Sequence, residues 1–192
     1  MKKKRKIDRS CPVWEKSNPI VDMWVTLEAK AWIEAWLKPS HEGIEYGAGC
    51  STAYLGQRVK YLTSIEHKPG WYRLVWKLLR ENNIRNVQLI YEPEKAKYLE
   101  PLKWYKEQSL DFAFIDAWHW ARANCAIMAW PRLKSGGILI LDNAEIKKYK
   151  PAVVFLDKQE TQDRFVFKGV GRNPWTREIT GKEWCTSIWI KL

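Results

Sequence analysis

Residues 44–52, IEYGAGCST, combine residue types that suit the binding of a small molecule. Glu45 supplies a carboxylate, Gly47 and Gly49 follow it, and Ser51 adds a hydroxyl. The glycines let the backbone turn tightly and let a ligand approach without a Cβ in the way. Because the segment lies between a predicted strand and a predicted helix, we interpret it as a cofactor-binding loop. The alternative is an ordinary strand-to-helix turn.

A second carboxylate stands at the spacing expected of a ribose-binding residue. Glu66 follows Gly47 by 19 residues and ends the next predicted strand, close to the roughly 20 residues that dinucleotide-binding folds use. Thr52 replaces the third glycine of a dinucleotide fingerprint, and the negative charge of Glu45 disfavours a pyrophosphate. A ligand with a ribose, no phosphate and a cationic amino-acid end fits better. We therefore predict S-adenosylmethionine as the cofactor.

Oxygen-bearing side chains end two further predicted strands. Asp116 ends one of them, and Asp142 and Asn143 end the next. Neighbouring parallel strands end at the same edge of a sheet, so these oxygens could gather around a hard divalent cation such as Mg²⁺. The alternative is that the three residues only form turns, in which Asp and Asn are common.

His119 lies three residues beyond Asp116. An imidazole titrates near neutral pH and suits the removal of a proton from a hydroxyl group. We therefore predict His119 and Asp116 as catalytic residues. The alternative for His119 is a packing or capping role at the start of a helix.

The pattern of apolar residues predicts strands and helices that alternate through most of the chain. Strands are predicted at 43–47, 61–67, 86–91, 110–116, 137–142, 164–170 and 185–192, and residues 135–137 as a turn. Helices are predicted at 21–38, 51–59, 70–82, 119–133 and 151–159. Such alternation predicts an α/β fold of the Rossmann-like, doubly wound type, with a mostly parallel sheet. The last two strands predict an antiparallel edge hairpin.

The composition predicts one soluble domain. A chain of 192 residues, 46% of them hydrophobic, suits a single domain over 19–192 behind a basic, flexible arm at 1–18. Apolar runs fall short of the roughly 20 residues of a membrane span, and the arm lacks the apolar segment of a secretory signal. Four scattered cysteines without a CxxC pair argue against structural zinc and disulfides. We expect a cytoplasmic protein.

The charge bears on possible partners. The formal net charge is +11, and KKKRK at 2–6 carries nearly half of it. Such an arm attracts nucleic acid, anionic membrane surfaces or acidic substrates, or is simply a solvated terminus. Trp24, Trp32 and Trp36 can share one helical face, which predicts a core or the interface of a homo-oligomer.

The segments IEYGAGCST, SIEHKPGWY, LDFAFIDAWHWAR and LKSGGILILDN follow the order and spacing of class I S-adenosylmethionine-dependent methyltransferases. The region of about 43–143 resembles small O-methyltransferases, both the metal-dependent catechol type and bacterial enzymes of sugar and natural-product methylation. The resemblance implies a seven-stranded sheet and O-methylation of a small-molecule or glycan hydroxyl.

The resemblance also implies roles for individual residues. The methionine end of the cofactor would meet Glu45, Gly47 and Gly49, and Ser51 would contact its carboxylate. Glu66 would bind the ribose. The implied cofactor-binding residues are Glu45, Gly47, Ala48, Gly49, Ser51, Glu66, His67, Asp116 and Trp118, with Trp118 packing on the adenine and His67 orienting the loop. In the catechol type, positions that resemble Asp116, Asp142 and Asn143 hold the metal. Arg122 matches an arginine of that type, but we interpret it as a helix-surface residue.

Two other functions stay open. A nucleic-acid methyltransferase fits the basic arm, but DAWHW at 116–120 has no proline and ANCA at 123–126 has no Pro-Cys pair, so base-amino and cytosine C5 methylation are disfavoured. A 2′-hydroxyl or protein target remains. The third possibility is an inactive binding module. We expect residues 1–40, 92–108 and 144–183, rich in aromatic and basic side chains, to select among an anionic ring, a glycan and single-stranded nucleic acid.

Overall fold

A seven-stranded sheet runs through the part of the chain that the computed structural model describes, residues 19–192. Its strands are β1 (Glu42–Tyr46), β2 (Tyr61–Glu66), β3 (Val87–Tyr91), β4 (Leu110–Ile115), β5 (Leu133–Asp142), β6 (Thr161–Gly169) and β7 (Trp184–Lys191). Their spatial order is β3-β2-β1-β4-β5-β7-β6. The first five strands are parallel, and β7 is antiparallel to both β5 and β6. The predicted α/β fold with an antiparallel edge hairpin is confirmed.

Among residues 19–192, five helices cover the two faces of the sheet. They are α1 (Leu27–Trp36), α2 (Cys50–Gly56), α3 (Pro69–Glu81), α4 (Arg122–Ala129) and α5 (Lys150–Leu156), with short 3₁₀ helices at Glu100–Trp104, Trp130–Arg132 and Lys147–Tyr149. On one face α4 and α5 bury Ala126 and Leu156 against the sheet. On the other, α1 buries Ile33. Because both faces are covered, residues 112–115 of β4 and 138–141 of β5 are continuous apolar runs.

The sheet reverses its strand order at β1, which lies between β2 and β4. In open α/β sheets, ligands bind in the crevice beyond the carboxyl ends of the strands at such a reversal. Backbone hydrogen bonds from Gly47 N to Ile65 O (2.9 Å) and from Asp116 N to Tyr46 O (2.8 Å) hold the three strand ends together. The fold therefore places the predicted cofactor loop at the crevice.

The structure corrects three predicted elements. Residues 135–137 are not a turn but part of β5, where the four residues between Leu133 and Ile138 lie opposite the single residue Asp111 of β4 in a bulge, and Gly136 takes a φ of +73°. The first helix begins at Leu27 rather than at 21, because Thr26 pairs with Gly171. Trp24 consequently lies outside that helix, and it does not share a helical face with Trp32 and Trp36. The third corrected element is the helix predicted from 119, which is α4 and begins only at Arg122.

The basic arm at 1–18 and the boundary predicted for it lie outside the described residues. Among residues 19–192, no helix has the length and apolar character needed to cross a membrane.

Candidate active site

A cavity of about 310 Å³ opens beyond the carboxyl ends of β1, β2 and β4. Most of the residues predicted from the sequence line it together: Gly47, Ala48, Gly49, Ser51, Glu66, His67, Asp116, Trp118 and His119. Of the other predicted residues, Glu45, Asp142 and Asn143 are not part of this lining. The fold thus brings residues from three separate segments to one concave site.

Gly47 lets the cofactor loop lie against the end of β4. Its φ is +95°, and a Cβ at this position would lie 2.2 Å from the carbonyl oxygen of Asp116. Gly49 has an extended φ of −163°, and its Cβ would first meet the ring of Trp71 at 3.4 Å. The two glycines therefore serve different needs. Gly47 permits a backbone conformation and a close backbone contact, whereas Gly49 leaves room above the loop.

Glu45 supports the loop from beneath. The residue is fully buried, and its carboxylate accepts hydrogen bonds from the hydroxyls of Ser51, Thr52 and Ser64, each at 2.5 Å. Thr52 in turn accepts a hydrogen bond from the backbone N–H of Gly49 (2.9 Å), the N-cap of α2. Burial raises the pKa of Glu45 to about 7, although the three hydroxyls favour its charged form. Glu45 thus ties the loop to β2 rather than lining the cavity.

We predict that Glu45→Gln flattens the pH dependence of stability. The folded-state pKa near 7 lies above the ordinary value of 4.5, so the folded chain binds the extra proton and loses stability as pH rises from about 4.5 through 7. A shift of this size corresponds to at most about 3 kcal/mol of the free energy of unfolding. Urea unfolding at pH 5 and pH 8 measures the difference.

Glu28→Gln, at an exposed position of α1, is the matched control and should retain the pH dependence of the parent. An unchanged pH dependence in Glu45→Gln would show that the buried carboxyl does not titrate in this range.

Glu66 lies at the end of β2 with one oxygen engaged. Its Oε1 accepts the backbone N–H groups of His67 (2.9 Å) and Lys68 (2.6 Å), and the residue is only 3% exposed. No side chain or backbone group in residues 19–192 donates to its Oε2. Glu66 lines the cavity, so this second oxygen is available to a ligand hydroxyl.

Two aromatic rings stack beside this carboxylate. The ring of His67 lies parallel to that of Trp118, with centroids 4.1 Å apart and an interplanar angle of 10°. His67 Nδ1 also lies 3.1 Å from Glu66 Oε1. Lys95 Nζ lies over the Trp118 ring at 5.5 Å from its centroid. The site therefore offers flat surfaces for a planar ring system next to the carboxylate.

At the ends of β4 and β5, Arg122 binds the residues that were predicted as metal ligands. Its guanidinium donates to Asn143 Oδ1 (2.9 Å) and to the carbonyl oxygen of Asp142 (2.9 Å), and it forms an ion pair with Asp116. Arg122 is 6% exposed, so the interpretation as a helix-surface residue is wrong. It begins α4, and its side chain is buried against the strand ends.

The two carboxyl groups at this end differ in their partners. Asp142 accepts hydrogen bonds from Trp184 Nε1 (3.0 Å) and Thr186 Oγ1 (2.7 Å), which fasten β7 to β5. Burial, together with the charge of Asp116, raises the pKa of Asp142 to about 7. Burial also raises the pKa of Asp116, against the lowering effect of Arg122.

The carboxylate, thiol and imidazole side chains do not form a metal-binding cluster by themselves in the described residues. Within residues 19–192, no group of three or more His, Cys, Asp or Glu could hold one. The predicted set of Asp116, Asp142 and Asn143, which includes an amide, stays a prediction.

His119 is exposed at the mouth of the cavity, with its ring 6.3 Å from that of Trp118. Its placement leaves the imidazole accessible to a bound acceptor.

Sequence reasoning missed several residues of the lining, namely Trp24, Lys68, Trp71, Arg122, Tyr149, Pro174 and Trp175. Trp24, Tyr149 and Trp175 fall in 1–40 and 144–183, two of the three segments expected to select the substrate. Trp175 contacts both Trp24 and Trp71 edge-on, with centroids 5.6 Å apart in each pair. The third segment, 92–108, contributes no residue to this cavity lining.

Comparison with known proteins agrees with this architecture. A family model described as "Methyltransferase domain" matches residues 44–144. No curated protein matches the sequence.

Solved structures share the fold at low sequence identity. An O-methyltransferase of tomaymycin synthesis from Streptomyces achromogenes, in complex with S-adenosylmethionine, has a TM-score of 0.65 at 16% identity, over 83% of this chain and 77% of that one. An O-methyltransferase from Bacillus cereus, in complex with S-adenosylhomocysteine, has a TM-score of 0.64 at 14% identity, over 84% of this chain and 78% of that one. Precorrin-8w decarboxylase from Methanobacterium thermoautotrophicum has a TM-score of 0.64 at 16% identity, over 86% of this chain and 90% of that one.

Proposed function

Since the chain belongs to the methyltransferase-domain family, we propose that it transfers the methyl group of its cofactor to a hydroxyl oxygen of a small-molecule or glycan acceptor. The chain is an S-adenosylmethionine-dependent methyltransferase with a Rossmann-like fold. The proposal of an oxygen acceptor depends chiefly on one observation. The cavity that holds Glu66 and the His67–Trp118 stack also contains an exposed imidazole, that of His119. O-methyltransferases among the structural neighbours support the same reaction.

We propose one orientation of the cofactor in the cavity. Glu66 Oε2 would accept the ribose hydroxyls, and the adenine would pack on Trp118. The methionine end would then lie over the loop at 47–51, where Ser51 would contact its carboxylate. Glu45 would act on the methionine end indirectly, because its own oxygens hold the loop hydroxyls.

The reaction is an in-line displacement at the methyl carbon. The bound cofactor would supply the methyl group: the acceptor oxygen would bond to the methyl carbon as the carbon–sulfur bond breaks, and the electron pair of that bond would pass to sulfur, which would leave S-adenosylhomocysteine. The hydroxyl proton passes to the imidazole of His119, which acts as the general base. Asp116, held by Arg122, orients the acceptor rather than taking the proton.

We predict that His119→Ala lowers the turnover number by about 10²–10⁴-fold, the usual contribution of a general base. Affinity for S-adenosylmethionine should not change, because the cofactor is bound by other residues. Initial rates of S-adenosylhomocysteine formation and calorimetric cofactor binding are the two measurements. His41→Ala is the matched control, because His41 precedes β1 at the end of the strand opposite the cavity. Its turnover should equal that of the parent. A lower melting temperature with normal turnover would give His119 a packing role instead.

The acceptor class is tested with S-adenosylmethionine that carries a tritiated methyl group. Phenols and catechols, hydroxylated sugars, RNA and protein are offered separately, and label is expected on one of the small hydroxyl compounds. Label on RNA or protein would instead support the 2′-hydroxyl or protein target. Cofactor binding without transfer to any class would support the inactive binding module.

Other features of the proposed function come from the sequence alone. The cytoplasmic location, a nucleic-acid partner for the basic arm and a homo-oligomeric state stay predictions.

A further inference from the structure

The Arg122 guanidinium is bonded to several oxygen atoms at the ends of β4 and β5, beside the cavity. Its Nε donates to the carbonyl oxygen of Ala117 (2.9 Å), and its Nη1 donates to both the carbonyl oxygen of Asp142 and Oδ1 of Asn143 (2.9 Å each). Its Nη2 pairs with Oδ1 of Asp116. One guanidinium therefore joins the end of β4 to the end of β5.

The same contacts leave little of the predicted metal site. Asp116 and Asn143 each give an oxygen to the guanidinium, and Asp142 gives its backbone oxygen. The Asp142 carboxylate instead accepts hydrogen bonds from Trp184 and Thr186, both through Oδ1. A divalent cation needs several free oxygens around it, and here it would also meet a permanent positive charge bonded to two of its ligands. The residues present do not fit a bound metal ion.

The guanidinium keeps one hydrogen for a ligand. An arginine side chain carries five N–H groups, and the four contacts above use four of them. The fifth, on Nη2, has no acceptor in the part of the chain that the structure describes. Arg122 also lines the cavity, with its guanidinium carbon 4.7 Å from the centre of the Tyr149 ring. The free N–H therefore belongs to a side chain that is buried, fixed and adjacent to the reaction space.

We propose that Arg122 takes the place of a divalent cation in this chain. It fixes Asp116 and Asn143 at the strand ends and donates its remaining N–H to the acceptor oxygen, so methyl transfer proceeds without a metal ion. The role toward the acceptor rests on the proposed function, whereas the exclusion of a metal does not. A planar, always protonated fork suits the task, because it binds several oxygens at fixed angles and does not dissociate.

The exclusion of a metal is tested by titrating the full chain with Mn²⁺ and following free Mn²⁺ by electron paramagnetic resonance. The parent should bind no Mn²⁺ at this site. Arg122→Met, which keeps the length of the side chain without its charge, should gain a site at least about tenfold tighter. Adding Asp116→Asn should remove that site, whereas adding Asp163→Asn, at an exposed position of β6, should not. Stoichiometric Mn²⁺ binding by the parent that Asp116→Asn abolishes would overturn the proposal, as would a folded Arg122→Met that binds none.

Arg122→Lys keeps the charge but not the planar fork, and it also serves if Arg122→Met fails to fold. It should raise the KM for the acceptor about tenfold or more, while cofactor affinity stays that of the parent. Exhaustive EDTA treatment should leave turnover of the parent unchanged. A parent that loses turnover in EDTA and regains it with Mg²⁺ would overturn the proposal. If no acceptor is methylated but the Mn²⁺ results are as expected, the acceptor assignment fails and the exclusion of a metal stands.

Discussion

Replacing Gly47 with alanine should destabilise the fold by about 2–6 kcal/mol, from a strained backbone and an overpacked contact together. The φ of +95° is costly for any residue with a Cβ, and that Cβ would lie 2.2 Å from the carbonyl oxygen of Asp116. The clash is with backbone, so no side-chain rotation relieves it. The loop must move away from β4, and binding of S-adenosylmethionine should be lost with it. Urea unfolding and calorimetric titration of the cofactor measure the two effects.

Two other glycines separate the contributions to this effect. Gly136 also has a positive φ, +73°, but open space where its Cβ would be, so Gly136→Ala should cost only about 1–2 kcal/mol from backbone strain. Gly49→Ala carries neither a positive φ nor a backbone clash and should leave stability within about 1 kcal/mol, while it narrows the cavity. If Gly47→Ala were as stable as Gly136→Ala, the close approach of the loop to β4 would be wrong.

Replacing Glu66 with alanine should weaken S-adenosylmethionine binding by about 10- to 150-fold, which corresponds to roughly 1.5–3 kcal/mol for hydrogen bonds to a charged group. Glu66 lines the cavity, and its Oε2 atom has no donor among the described residues, whereas Oε1 accepts the backbone N–H groups of His67 and Lys68. Glu66→Gln keeps an oxygen for those two N–H groups but loses the charge and replaces Oε2 by an amide NH2, which can donate to a ribose hydroxyl but not accept from it. Its affinity should therefore lie between the parent and the alanine variant.

Glu92→Gln is the matched control, because Glu92 is a partly buried carboxylate that follows the adjacent strand β3 and does not line the cavity. It should bind the cofactor as the parent does. Parental affinity in Glu66→Ala would remove the ribose role from this residue.

The glycine loop of the cofactor site, and the spacing from it to Glu66, could be predicted because both depend on residues close together in the sequence. The glycines of 47 and 49 follow β1 directly, and Glu66 ends the next strand, so one strand–helix–strand unit fixes all three. The direction of Glu45 could not be predicted in this way. Its hydroxyl partners include Ser64, which becomes a neighbour only when β2 pairs with β1.

Arg122 shows where sequence patterns stop being informative. A helix predicted from 119 gives no reason to bury this arginine, but α4 begins at Arg122 and the three residues before it form a turn. Its partners at 116, 142 and 143 come from two strand ends that meet only in the folded sheet. Trp175 joins the cavity in the same long-range way, from the segment between β6 and β7.

The most direct test of the cofactor site is calorimetric titration of the full chain with S-adenosylmethionine and with S-adenosylhomocysteine, each with and without Mg²⁺. We expect one-to-one binding at micromolar concentrations that Mg²⁺ does not change. If neither compound binds, the assignment is contradicted, and IEYGAGCST is a structural turn.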